Sequence, residues 1–372
     1  MAVAEYPIHV AVEARDSAVD RSADSVVRGY FLVLFALSLG AFVFGVDNRF
    51  TADGWFNVRP AVDWMPPLSA QDWWVAFTLH QQDPAFSACG GTESLTEFKT
   101  LYWWEWGRRV SVLAIATVAV LGLCGVLSLR RYQFALQRLA SLGIVALAYW
   151  AVRTLVDFAV AHVEALSSFN VGQYRHAVDV TFASVIVAGI LASAIVPPGP
   201  RSPRFSRKHF RSEWLWLGFV VLDICFGAMF AARDAAGAWT TWPGYQGRAF
   251  PPLDQLMTYT PVWLNLTFNQ YTIQLVHRTL SIGLWIVALW QLVSARRRNV
   301  PMNSVGVLFL LVTGQMLTGI ATLVLGVPAV LSIVHQIGSI ALVAWSFVVL
   351  VPGGVVNGRA GWFASASSRM GR

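Results

Sequence analysis

WWEWGRRVSVLAIATVAVLGLCGVL, residues 103–127, begins with aromatic and charged residues and ends as an unbroken apolar run. From Val110 to Leu129 the run is long enough to cross a bilayer, which takes roughly 20 helical residues. The stretch therefore decides the fold class, and it leaves a puzzle: Glu105, Arg108 and Arg109 stand in the turns that lead into a membrane. Seven further windows of the same kind are Tyr30–Val46, Leu139–Val160, Ala177–Val196, Trp214–Ala232, Thr272–Val293, Val305–Leu325 and Ala329–Val351. Hydrophobic residues make up 56% of the 372 and charged residues 13%, a composition of polytopic membrane proteins that excludes a soluble enzyme.

The basic residues fall in alternate links between the spans. Arg15, Arg21 and Arg28 precede the first span; Arg130, Arg131 and Arg138 separate the second and third; Arg201, Arg204, Arg207, Lys208 and Arg211 separate the fourth and fifth. Arg296, Arg297 and Arg298 follow the sixth span, and Arg359, Arg369 and Arg372 the eighth. This density sets topology, so both termini are expected on the cytoplasmic side. The pI of about 9.7 reflects the same clusters, and nucleic acid is excluded as a partner in favour of membrane lipid. The first residues contain no apolar stretch of signal-peptide type, while Glu5, Glu13, Asp16, Asp20 and Asp24 argue against an acid-poor transit peptide; a bacterial plasma membrane is expected. Cys89, Cys124 and Cys225 suggest neither a disulfide nor a metal pair.

A polar linker, PPGPRSPRFSRKHFRSE (197–213), divides two similar halves. The first span ends GAFVFGVDNRFTADGW from Gly40 and the fifth ends GAMFAARDAAGAWTTW from Gly227. The second span starts Glu105-Trp-Gly-Arg108-Arg109 and the sixth Gln274-Leu-Val-His277-Arg278. The expected fold is an all-α membrane protein with eight transmembrane helices as two pseudo-repeated four-helix bundles. The expected order is a cytoplasmic segment (1–29), an N-terminal bundle (30–196) with a long outer loop (47–102), the linker (197–213), a C-terminal bundle (214–351) and a cytoplasmic tail (352–372).

Of seven histidines, His9, His80, His162 and His209 lie in termini, loops or span edges and read as solvated. His277 and His335 lie at one depth, just inside the outer ends of the sixth and eighth spans. Two imidazoles so placed suit a six-coordinate haem iron between helices, and equally suit polar residues hydrogen-bonded inside a bundle.

The chain resembles haem A synthase along nearly its whole length. The likeness is carried by GVDNRFTADGW (45–55), MPPLSAQDW (65–73), LTEFKTLYWWEWGRRV (95–110), VGQYRHAVDV (171–180), TTWPGYQGR (240–248), QLVHR (274–278) and TGQMLTGIATLVLGVPAVLSIVHQ (313–336). Members of that family oxidise a ring methyl of haem O to the formyl group of haem A. The resemblance implies a haem b in the C-terminal half, with His277 and His335 at the two iron-ligand positions, and haem O or haem A as substrate or product in the N-terminal half. It also implies haem O synthase, terminal oxidase assembly factors and an electron donor as partners, and leaves room for a homo-oligomer.

Against the family's E-W-G-H-R the second span reads E-W-G-R-R, so Arg108 occupies a ligand position. The other ligand position, five residues after Tyr174, is Asp179. Arginine has no lone pair for iron, and one carboxylate replaces two imidazoles poorly. The substitutions are complementary in charge, so an Arg108–Asp179 ion pair is expected, with Arg175 or Glu105 joining it. Arg153 and Asp157, four apart, can also face one way. Glu105 matches the family's acid, with a part in catalysis implied by the resemblance and a simple ion pair with Arg108 or Arg109 as the bland reading; His176 is a minor candidate ligand. Three functions remain open: a haem A synthase, a non-catalytic haem b protein for electron transfer or oxidase assembly, and, more remotely, a transporter.

Overall fold

The computed structural model describes residues 6–47, 64–83, 86, 94–129, 132, 135–166, 172–196, 207–297 and 303–350. The expected tail over 352–372, Cys89, residues 197–206 of the linker and the side chains of His9 and His209 lie outside the described residues. Eight helices among the described residues are long and apolar enough to cross a membrane: Ser22–Phe44, Leu95–Ser128, Leu136–His162, Gly172–Ile195, Trp214–Ala232, Gln270–Arg297, Val305–Val324 and Ala329–Val348, the first to eighth spans. The described residues contain no strand beyond a single Tyr245–Arg248 bridge.

The second helix begins at Leu95, well before the apolar window that starts at Val110, because its N-terminus carries a complete capping box. Ser94 Oγ accepts from the Glu97 N–H at 3.3 Å, and Glu97 Oε2 accepts from the Ser94 N–H at 2.7 Å. The extra turns expose a face to an outer helix, Ala70–Gln81, whose Trp73 and Phe77 pack on Phe98 and Tyr102. That helix starts with its own box, Ser69 with Asp72. His80, expected to be solvated, is instead 6% exposed, wedged between Phe86 and Phe98. His162 is exposed, its ring over Phe158.

The first span packs against the second and fourth, and the third against the fourth; the fifth packs against the sixth and eighth, and the seventh against the same two. The halves join where the fourth span meets the fifth and eighth. One shared cluster fills that seam, with Val187 and Ala188 of the fourth, Val220 of the fifth and Ile340 and Val343 of the eighth all buried. Trp216 of the fifth donates to Ser346 of the eighth at 3.1 Å, which satisfies its indole inside the apolar seam. The two halves differ at one edge: the sixth and seventh spans pack closely, whereas the second and third touch little. Outward faces such as Ile144, Leu147, Trp150, Leu155 and Phe158 on the third span are exposed and apolar, as hydrocarbon requires.

Candidate functional site

The sixth helix is started by Asn269, whose Oδ1 accepts from the N–H groups of Tyr271 and Thr272 at 2.9 and 3.1 Å. Two turns in lies His277. The eighth helix starts after a tight reversal at Gly326 (φ +77°) and Val327 (φ +59°), and His335 lies six residues past its first residue, Ala329. Both spans run in the same direction, so the two imidazoles stand at one depth, about 10 Å in at 1.5 Å per residue. The sixth and eighth helices each pack against the fifth and seventh, which sets them across the ring from one another.

Each imidazole is held by its neighbouring helix. His277 Nδ1 lies 2.8 Å from Asp223 Oδ1 on the fifth span, and Ser281 Oγ donates to both oxygens of that carboxylate at 3.2 and 3.0 Å. His335 Nδ1 lies 3.2 Å from Thr318 Oγ1 on the seventh span. Gln315 Nε2 donates to the His335 carbonyl at 2.8 Å, with its own Oε1 buried and without a partner among the described residues. Glycines make room for both rings: a Cβ at Gly227 would meet His277 Cε1 at 3.1 Å, and one at Gly319 would meet His335 Cε1 at 2.8 Å. His277 Nδ1 meets the Asp223 carboxylate by proximity rather than in hydrogen-bond alignment, and His335 Nε2 lies 3.5 Å from Gln315 Nε2. Nε2 of each ring is the nitrogen a metal would take, with the Gln315 amide giving way at His335. The donor set, the ring-fitting glycines and the orphaned Gln315 oxygen suit a haem between these two histidines. Asp223, Gln315 and Thr318 were missed in the sequence, although a lone carboxylate in WLWLGFVVLDICFG was a visible signal.

The outer segment after the fifth span covers this ring. Gln274, one turn before His277, donates to the carbonyls of Ala235 and Trp239 at 2.8 and 3.0 Å. Arg278, 6% exposed, donates to the carbonyls of Trp239 and Thr241, both at 3.0 Å, and its guanidinium lies over the rings of Tyr245 and Trp242. The QLVHR motif thus places the histidine inward and uses its flanking residues to fasten a cap.

The N-terminal half is charged where the C-terminal half holds imidazoles, and the expected Arg108–Asp179 pair does not form. Arg108 turns back along its own helix to Glu105, with Nε and Nη2 at 2.9 and 2.5 Å from the two carboxylate oxygens, and Arg109 adds a third bond at 3.1 Å. Glu105 is 1% exposed. A partner one turn away on the same helix needs no interhelical approach, and the second span does not pack closely against the fourth, which carries Asp179. Asp179 is taken by Arg153 of the third span at 2.9 Å and by the Tyr149 hydroxyl at 3.1 Å. Arg153 also pairs with Asp157, as its spacing predicted, and Arg175 joins Asp157 at 2.9 Å rather than Arg108. His176 is buried on the fourth span.

Residues 28–347 match a family model described as cytochrome oxidase assembly protein. A protein named heme A synthase from Azorhizobium caulinodans is 32% identical over 327 residues, covering 84% of this chain and 90% of the relative. Another of the same name from Rhizobium leguminosarum bv. trifolii is 31% identical over 368 residues, 94% and 95% of the two chains. A third, from Mesorhizobium japonicum, is 29% identical over 331 residues.

Proposed function

The chain belongs to the haem A synthase family of cytochrome oxidase assembly proteins, and from that premise we propose that its C-terminal four helices hold one haem b between His277 and His335 while its N-terminal four helices ligate no haem iron. It is a bacterial multi-pass membrane protein of haem A biosynthesis, serving the assembly of cytochrome oxidase. The single observation that carries the proposal is the contrast between repeat-equivalent positions. His277 presents a ring steadied by Asp223, whereas Arg108 presents a guanidinium already spent on Glu105.

Haem b, when bound, supplies one-electron transfer. The chain's part is to orient the imidazoles through Asp223 and Thr318, to leave space for the rings at Gly227 and Gly319, and to exclude water with the cap fastened by Gln274 and Arg278. In the other half, Glu105 accepts three bonds from two guanidiniums and is ill placed to take a proton from substrate. This supports a non-catalytic haem b protein that carries electrons or assists oxidase assembly. A second reading is an active synthase whose substrate haem is anchored by its propionates on the guanidiniums of Arg108, Arg153 and Arg175. The parting of the second and third spans favours it by leaving that half open.

The basic links support cytoplasmic termini, and the helix pairing supports two repeated bundles related across the linker. Haem O synthase, oxidase assembly factors, an electron donor and a second copy of the chain are the partners this role calls for. The test of the haem site is direct: purified protein should show the spectrum of bis-imidazole haem b, and His277→Ala or His335→Ala should each remove it. Retention of that spectrum in both variants would refute the assignment.

A further inference from the structure

We infer that Asp223 is a positioning residue that fixes His277 as the stronger electron donor of two unequal haem ligands and thereby holds the haem at a lower reduction potential. The inference rests on the haem b reading above and concerns how this chain tunes that site.

The two histidines have different companions. Asp223 brings a formal negative charge within 2.8 Å of His277 Nδ1, and Ser281, one turn further along the helix of His277, donates to both oxygens of the same carboxylate. The carboxylate is therefore held from two sides and cannot swing away without breaking both contacts. Gly227, one turn beyond Asp223 on the same face of the fifth span, leaves the ring room to sit against that helix. A carboxylate inside an apolar span is costly to place, so its occurrence against a ring nitrogen marks a function.

His335 has only a neutral neighbour at the equivalent nitrogen. The Thr318 hydroxyl gives its proton to the carbonyls of Gly314 and Gln315, both at 3.0 Å, and so accepts from His335 Nδ1–H at 3.2 Å. A neutral acceptor polarises that N–H far less than a carboxylate does. His277 consequently carries more charge on Nε2 than His335 does. The ferric ion bears one more positive charge than the ferrous, so a fixed anion behind one ligand stabilises the oxidised state and makes the reduced state the better donor.

The experiment uses the full-length protein with its haem, titrated potentiometrically while the reduced haem band is followed. Asp223→Asn keeps an acceptor for the ring and removes the charge: haem should be retained and the potential should rise by about 59 mV, a tenfold change in the ferrous-to-ferric ratio for one electron. Ser281→Ala should move it the opposite way, because a carboxylate relieved of a donor leans harder on the imidazole. Opposite signs from two neighbouring substitutions are not expected of a merely structural contact. A potential unmoved in Asp223→Asn, or shifts of the same sign in both variants, overturns the inference; should Asp223→Asn lose its haem, an unmoved potential in Ser281→Ala overturns it equally. Absence of haem b from the unsubstituted protein overturns the haem b reading as well, whereas haem present with an unmoved potential overturns this one alone.

Discussion

Substituting Glu105 by glutamine separates a structural carboxylate from a catalytic one. The wild-type side chain is 1% exposed and accepts two bonds from Arg108 and one from Arg109, whose side chains are 30% and 50% exposed. Glutamine keeps the shape but offers one carbonyl oxygen to two guanidiniums and turns an amide donor toward the other N–H groups. Removing one partner from a buried pair costs about 3–5 kcal/mol. Arg109, half in solvent, contributes about 0–1 kcal/mol of its own, and the partial exposure of Arg108 lets it recover some solvation. The expected loss is therefore about 2–3 kcal/mol for Glu105→Gln, and less than about 1 kcal/mol for Arg109→Ala. Glu105→Leu with Arg108→Leu should cost much less than the sum of the single changes, since the only charge to lose its contact is then Arg109, whose side chain is 50% exposed. Unfolding by SDS titration in mixed micelles measures these three variants and the two single leucine changes. A Glu105→Gln protein as stable as the wild type, with the double variant simply additive, would refute the structural role and return Glu105 to the list of acids free to act on a substrate.

Gly319→Ala should displace His335, because the new Cβ would stand 2.8 Å from Cε1; haem content should fall while Gly314→Ala, which meets nothing within 4 Å, leaves it unchanged. Arg278→Ala strips donors from the carbonyls of Trp239 and Thr241 and should loosen the cap by about 3 kcal/mol, seen as faster protease cleavage within 235–250. At the outer helix, hydrogen bonds from Ser69 hold the Asp72 carboxyl below the usual aspartate range. Its contribution to that helix is therefore fully present above the ordinary aspartate pKa and is lost as pH falls through the lowered one; amide exchange near Trp73 should accelerate in acid, and Ser69→Ala should abolish that dependence.

Apolar length alone located all eight spans, since a bilayer imposes one requirement on every crossing. Their ends were less legible: the second helix gained its outer turns from Ser94 and from packing under Trp73 and Phe77, neither of which hydropathy registers. The two histidines could be paired by depth because both helices run the same way from matched starts. The charges could be placed but not connected. Arg108 and Asp179 were read as partners from equivalent positions, yet rotamer reach within one helix favoured Glu105, and Arg153 stood nearer Asp179 across the third and fourth spans. Asp223 stands out in the sequence as a lone carboxylate in an apolar span, but its partner does not, because the pairing depends on the fifth helix turning the face that bears Gly227 toward His277.

Haem identity and stoichiometry test the central claim most directly. The unsubstituted protein, produced in cells that make haem O but contain no other haem A synthase, is purified and its haems extracted and quantified per chain. The account predicts about one haem b per chain, as two imidazoles serving one iron require, with neither haem O nor haem A present. Recovery of haem A, or of a second haem that survives His277→Ala and His335→Ala, would contradict it and show that the Arg108 and Asp179 half binds and transforms its substrate without imidazole ligands.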